Sequence, residues 1–277
     1  MGQRLALISD VHGNAVALRA VLDDIEARGI TRVVCLGDVA TLGPSPEACI
    51  ELVAERCELT VAGNHDGYLV DSTTYDDHVA LPVLATAVDW ARERVSASAL
   101  SFLEALPPVA PLELEGKRLC LFHGSPRSNT ENLWATTTGD ELDAALAGHA
   151  ADVFAGGHTH VPLVRRHRSD FVINVGSVGM PFEGPACGGP PIILAYAEYA
   201  TLEVQHDGLA VQLTASSPTG MRCTRPLGAG TTPSVSSSST PTPERREHHP
   251  RAAHRAMVCS SAEGGSASAW PSTPSPF

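Results

Sequence analysis

Three short apolar runs, residues 5–8, 33–36 and 59–62, alternate with stretches of helical periodicity, and each run breaks off into small and polar residues. Four aliphatic or β-branched residues in a row are too few for a buried helix and read as a strand packed on both faces. Residues 15–27 repeat Val16, Ala20, Val21 and Ile25 at helical spacing with Gly29 as the stop, and Pro46 suits the first turn of a second helix over 46–56. The order strand, helix, strand, helix, strand selects a largely parallel sheet with right-handed crossovers. It also gathers the polar residues after each strand at one edge of the sheet. These residues are Asp10-Val11-His12, Gly37-Asp38 and Gly63-Asn64-His65-Asp66. The edge outside the carboxyl ends of the strands is where open α/β sheets bind ligands.

The pattern continues. Residues 81–106 are helical in period through Leu84, Val88, Trp90, Ala91, Val95, Leu100, Phe102 and Leu103, until Pro107-Pro108 ends the run. Residues 112–114 and 118–122 read as a hairpin turned at Glu115-Gly116 that delivers His123 to the same edge. A short helix over 140–146 precedes a strand over 152–155 that delivers Gly157-His158-Thr159-His160. Segments 163–168, 171–175, 192–196, 201–205 and 211–213 read as further, antiparallel strands. The expected architecture is α/β, with two facing mixed β-sheets flanked by helices in four layers, αββα.

That domain is expected to span residues 1–215. From Ser216 the chain turns to Ser, Pro, Thr and Gly and loses all periodicity, so 216–277 is expected to be a disordered, low-complexity tail that cannot offset its ordering entropy. So abrupt a break has the look of a shifted reading frame or appended sequence rather than of an evolved module. Residues 1–215 hold 13 Lys+Arg against 28 Asp+Glu, a net of −15, whereas the tail holds 6 against 3, a net of +3. A domain this acidic has no basic stripe for a polyanion, so a long nucleic acid is not an expected partner. The 7 Cys show no Cys-x-x-Cys spacing, which argues against a disulfide framework or zinc ribbon. No segment has the form of a signal peptide or membrane span, and the expected setting is cytoplasmic, without a membrane partner.

Each polar stretch alone is ordinary. Asp-x-His occurs in solvated loops, Gly-Asp is turn chemistry, and Asn64-His65 after Gly63 resembles a turn. Yet Asp10 and His12 are two apart at a strand end, and so are His158 and His160, a pairing of imidazoles that suits a transition metal. Two Asp, one Asn and four His gathered at successive strand ends would be costly to leave unpaired, because buried polar groups cost several kcal/mol unless bonded or metallated (about 2–7 in transfer experiments).

In this order the motifs Asp10-x-His12, Gly37-Asp38, Gly63-Asn64-His65-Asp66, His123 and Gly157-His158-x-His160 resemble those of the calcineurin-like metallophosphoesterases, over roughly residues 4–213. The resemblance implies that Asp10, His12 and His160 hold one metal, that Asn64, His123 and His158 hold the other, and that Asp38 bridges them. It implies a binuclear hydrolase in which a hydroxide shared by both ions attacks phosphorus while His65, protonated and not a ligand, donates to the leaving oxygen. Mixed imidazole, carboxylate and amide donors suit two divalent transition metals, manganese foremost, with iron, zinc, cobalt or nickel as alternatives.

Phosphoprotein phosphatases of this superfamily carry Gly-Asp-x-x-Asp-Arg, whereas here Asp38 is followed by Val39, Ala40, Thr41 and Leu42. The chain is instead similar to the compact bacterial and archaeal phosphodiesterase branch, as His123-Gly124-Ser125-Pro126-Arg127 and Asn174-Val175-Gly176-Ser177 also suggest. A small phosphodiester is therefore the expected substrate, with a phosphomonoester second. Arg127 is either a phosphate contact or a surface ion pair, Asp66 either a local cap or a partner of the ligands, and Ser177 a turn residue. The alternatives are a catalytically idle interaction scaffold on the same fold, as a retromer subunit is, and a nuclease. The filled ligand positions weigh against the first and the acidic balance against the second.

Overall fold

The computed structural model describes residues 2–74, 82–185, 190–205 and 208–217, all within a compact unit spanning Met1–Arg225. The expected disordered tail from 216 onward lies outside the described residues beyond Ser217.

Strands β1 (Arg4–Ile8), β2 (Arg32–Cys35) and β3 (Leu59–Thr60) pair in parallel, joined by helices α1 (Ala15–Ala27) and α2 (Pro46–Arg56). Asn14 caps α1 by accepting from the Ala17 amide at 3.1 Å. The helix buries Ala17, Leu18, Val21, Leu22 and Ile25, while Val16, expected on the apolar stripe, is 71% exposed. Helix α3 (Asn64–Val70) begins where the sequence suggests a turn. The helical run expected over 81–106 divides into α4 (Pro82–Arg92) and α5 (Ala97–Glu104), because Ser96 caps a new start by accepting from the Ala99 amide.

A second sheet begins with the hairpin β4 (Val109–Leu114) and β5 (Lys117–Phe122). Glu115 and Gly116 have φ of 45° and 79°, the two left-handed residues whose twist matches that of a two-residue hairpin. After α6 (Gly139–Ala145) come β6 (Val153–Gly156), β7 (Leu163–His167) and β8 (Asp170–Asn174), with β5, β6 and β8 mutually parallel. The chain then returns to the first sheet as β9 (Ala197–Gln205), antiparallel to β1, and β10 (Gly208–Ser216). The sheet orders are β10-β9-β1-β2-β3 and β4-β5-β6-β8-β7. One expected strand is corrected. Residues 192–196 form no strand, only an isolated bridge between Phe182 and Ile193, because Pro190-Pro191 supply no amides and Ile192 and Ile193 stand out at 64% and 53% exposure.

Alternation along the strands makes the layers. Leu5, Leu7, Val34 and Leu36 of the first sheet face Leu119, Leu121, Val153 and Ala155 of the second across a shared core. The opposite faces, through Ile8 and Cys35 on one side and Phe122 and Phe154 on the other, pack on α1 to α5 and on α6. Two mixed five-stranded sheets between helices are thus the α/β architecture expected. No helix among the described residues is long and apolar enough to cross a membrane.

Candidate metal centre

The parallel strands of both sheets end at the same rim. From the first sheet come Asp10 and His12 after β1, Asp38 after β2 and Asn64 at the start of α3; from the second come His123 after β5 and His158 and His160 after β6. Asp10, His12 and His160 form one group whose donor atoms lie within 4.8 Å of one another, and Asp38, His123 and His158 form another. His12 Nε2 stands 3.0 Å from His160 Nε2, and Asp10 Oδ1 is 3.2 Å from His160 Nε2 and 3.8 Å from His123 Nε2. Asp38 Oδ2 is 3.3 Å from His123 Nε2 and 3.7 Å from His12 Nε2, so Asp38 faces both groups.

Each candidate ligand has its rear atoms committed. His123 Nδ1 donates to the Leu36 carbonyl and His160 Nδ1 to the Met180 carbonyl, both at 2.7 Å, while His158 Nε2 donates to the Thr130 carbonyl at 3.1 Å. Such bonds fix the tautomer and leave the other ring nitrogen bare toward the cluster. Asp10 Oδ2 accepts from the His158 amide and Asp38 Oδ1 from the His65 amide, each at 2.9 Å, and Asn64 Nδ2 donates to the Tyr68 hydroxyl at 3.2 Å. What remains is a set of buried front atoms without hydrogen-bond partners, namely Asp10 Oδ1, Asn64 Oδ1 and His123 Nε2. Orphans are rare in a folded interior and demand an explanation. Two imidazole nitrogens on one transition metal, each about 2.0–2.1 Å from it, come to roughly 3 Å apart. These donors therefore fit divalent transition-metal ions.

The electrostatics carry the same demand. Burial opposes ionisation of Asp10 and Asp38, but His160 and His123 hold Asp10, and His123 and His65 hold Asp38, below the usual carboxylate range. Burial would strip His123 of its proton, yet Asp38 and Asp10 push it up to about 10. Burial and a positive His160 push His12 down to about 3, and burial with His123 pushes His158 down to about 4. Two fixed carboxylates thus call for positive charge between them, which a metal answers better than a proton.

The backbone is bent to make this possible. Asp10, His12, Asp38, His158 and His160 all have positive φ, from 46° to 69°, a left-handed conformation uncommon away from glycine. Loops approach closely here. A Cβ on Gly157 would lie 2.0 Å from Ser9 Oγ and 2.5 Å from Asp10 Oδ2, and one on Gly63 would lie 2.1 Å from Asp38 Oδ1.

Several supports surround these side chains, and Asp66 proves to be both the local cap and the partner that the sequence left as alternatives. Asp66 accepts from the amides of Asp38 (2.8 Å), Val39 (2.9 Å) and Gly63 (2.9 Å), so one carboxylate ties together the loops after β2 and β3. Burial and the charge of Asp38 push its pKa up to about 6. Ser177, read as a turn residue, donates to the Asp10 carbonyl and accepts from the Met180 amide, both at 2.8 Å. Asn174 donates to the Gly157 carbonyl and to Thr159 Oγ1, anchoring the histidine loop. Phe182 stacks on His160 with centroids 4.2 Å apart. His65 lies beside the cluster, its ring 5.1 Å from that of His12 and its Nδ1 2.9 Å from Thr41 Oγ1. Arg127 is half-exposed and bound to Glu131, so the ion-pair alternative describes its contact.

Residues 4–197 match the family model of the calcineurin-like phosphoesterase superfamily domain. The chain is 30% identical to phosphodiesterase YfcE of Escherichia coli over 194 residues, 67% of this chain and 85% of that protein. It is 31% identical to an uncharacterised protein of Methanocaldococcus jannaschii over 195 residues, 65% of this chain and 78% of that one. Among solved structures, a metallophosphoesterase from Sphaerobacter thermophilus is 28% identical with a TM-score of 0.63, over 78% of this chain and 89% of that chain. With a family match that takes in β1 to β8 and every strand-end motif of the rim, the chain belongs to the calcineurin-like phosphoesterase superfamily.

Proposed function

We propose that this chain hydrolyses small phosphodiesters, and more slowly phosphomonoesters, with two divalent transition-metal ions. Asp10, His12 and His160 would hold one, Asn64, His123 and His158 the other, and Asp38 would serve both. The observation that carries the reading is the set of buried, unpartnered front atoms, Asp10 Oδ1, Asn64 Oδ1 and His123 Nε2, on side chains whose rear atoms are all tied. When bound, the ions supply Lewis-acid neutralisation of phosphoryl charge and a lowered pKa for water. The protein fixes the geometry: Asp66 locks the β2 and β3 loops, and the carbonyls of Leu36, Thr130 and Met180 aim three imidazoles. His65, outside the ligand set, offers an N–H to the departing oxygen. Leu42, where related phosphatases carry an arginine, leaves no guanidinium to grip a doubly charged monoester, which supports diesters, as does the name of the Escherichia coli relative.

The test is to load metal-free protein with Mn²⁺, measure bound metal, and assay bis-p-nitrophenyl phosphate and p-nitrophenyl phosphate. Turnover of the diester ahead of the monoester, abolished in Asp38→Asn, is the expected result. A metal-loaded protein inert on both substrates overturns the proposal.

A further inference from the structure

Between the ligand cluster and His65 stands Thr41, fully buried in the loop after β2. Its Oγ1 lies 2.9 Å from His65 Nδ1 and 3.4 Å from His12 Nδ1, so one hydroxyl joins two imidazoles. A hydroxyl has one proton to give and lone pairs to receive, and the two rings cannot make the same demand of it without cost. His12 directs Nε2 into the cluster, 3.0 Å from His160 Nε2 and 3.7 Å from Asp38 Oδ2. A bare Nε2 leaves the proton of that ring on Nδ1, where it donates to Thr41 Oγ1. The hydroxyl proton is then turned toward the nearer ring, and His65 Nδ1 receives it. Were His65 Nδ1 protonated instead, both rings would donate to Oγ1 and the hydroxyl proton would be stranded without an acceptor in a fully buried place.

We infer that Thr41 is a positioning residue that holds His65 with Nδ1 as acceptor and its N–H on Nε2, reading the tautomer of the ligand His12 across a neutral hydroxyl. This rests on the donor role of His65 proposed above and deepens it. His12, with Nε2 turned into the cluster, orients Thr41, and Thr41 presents His65 as a hydrogen-bond donor. Such a donor matters most where the departing oxygen carries much charge, so the relay sets which leaving groups the site tolerates.

The experiment is a long-range ¹H–¹⁵N correlation spectrum of ¹⁵N-histidine-labelled, Zn²⁺-loaded protein, with His65 assigned by its loss in His65→Asn. A bare Nδ1 and protonated Nε2 are expected in the native protein. Thr41→Val should shift that signature and lower kcat on diphenyl phosphate by roughly 10- to 100-fold, with less effect on bis-p-nitrophenyl phosphate and KM unchanged. Thr41→Ser should restore both. An Nδ1–H signature in the native protein, or Thr41→Val matching the native protein in spectrum and rate, overturns the inference. Should Thr41→Val not load metal, the native and Thr41→Ser spectra decide. If His65→Asn keeps full rate on diphenyl phosphate while the native spectrum shows Nε2–H, the donor role fails and the tautomer assignment stands. If His65→Asn is slow and the native ring is Nδ1–H, the reverse holds.

Discussion

Glu198, the second residue of β9, lies inside the core, 6% exposed, with Oε2 unpartnered. Burial pushes its pKa up from 4.5 to about 7. A carboxyl raised on folding binds its proton more tightly in the native state, so its contribution falls as pH climbs from 4.5 to about 7 and is constant above. Glu198→Gln, which mimics the neutral acid, should match the native protein near pH 5 and exceed it by roughly 1–3 kcal/mol above pH 7. Urea midpoints of the metal-free proteins at the two pH values check this, and equal midpoints at both would refute it. At this scale the ligands are legible because each follows a glycine or a strand end. Thr41 and Ser177 are not, since what they do is make contacts to other loops, and nothing in a single sequence marks a threonine that touches two histidines 24 and 29 residues away.

At the scale of elements, periodicity finds α1, α2 and the β4–β5 hairpin, where a continuous apolar stripe or a two-residue turn dominates. It misses α3, whose seven residues include Gly67 and whose first turn is occupied by Asn64 and His65, so site chemistry masks the helix. It also promotes residues 192–196 to a strand on β-branched content alone, though among the described residues no neighbouring strand pairs with them along their length. The elements meet the site through close loop contacts, whose tightness can be tested. Gly63→Ala places a methyl carbon 2.1 Å from Asp38 Oδ1, so it should weaken Mn²⁺ affinity by roughly 10- to 100-fold while leaving the circular dichroism spectrum intact. Gly139→Ala, at the start of α6 with nothing within 4 Å, is the control and should bind metal normally. Titration calorimetry distinguishes them, and equal affinities would refute the steric account.

For the molecule as a whole, each group of candidate ligands draws on both sheets. His160 joins Asp10 and His12, and Asp38 joins His123 and His158. Metal at the rim would therefore clamp one sheet to the other and stabilise the fold by mass action, by about 2.7 kcal/mol at a concentration 100 times Kd. For a domain of this size each kcal/mol is worth about 2–4 °C. Chelation should lower Tm by roughly 5–10 °C, reversed by Mn²⁺. A Tm indifferent to chelator and metal would show that the clamp does not form. The left-handed turns at Asp10, His12, Asp38, His158 and His160 then acquire a further meaning. Glycine at any of those five positions would relax the chain and delete a candidate ligand at one stroke. Selection for toughness alone would therefore wear the candidate metal centre away, leaving a hardy and empty shell.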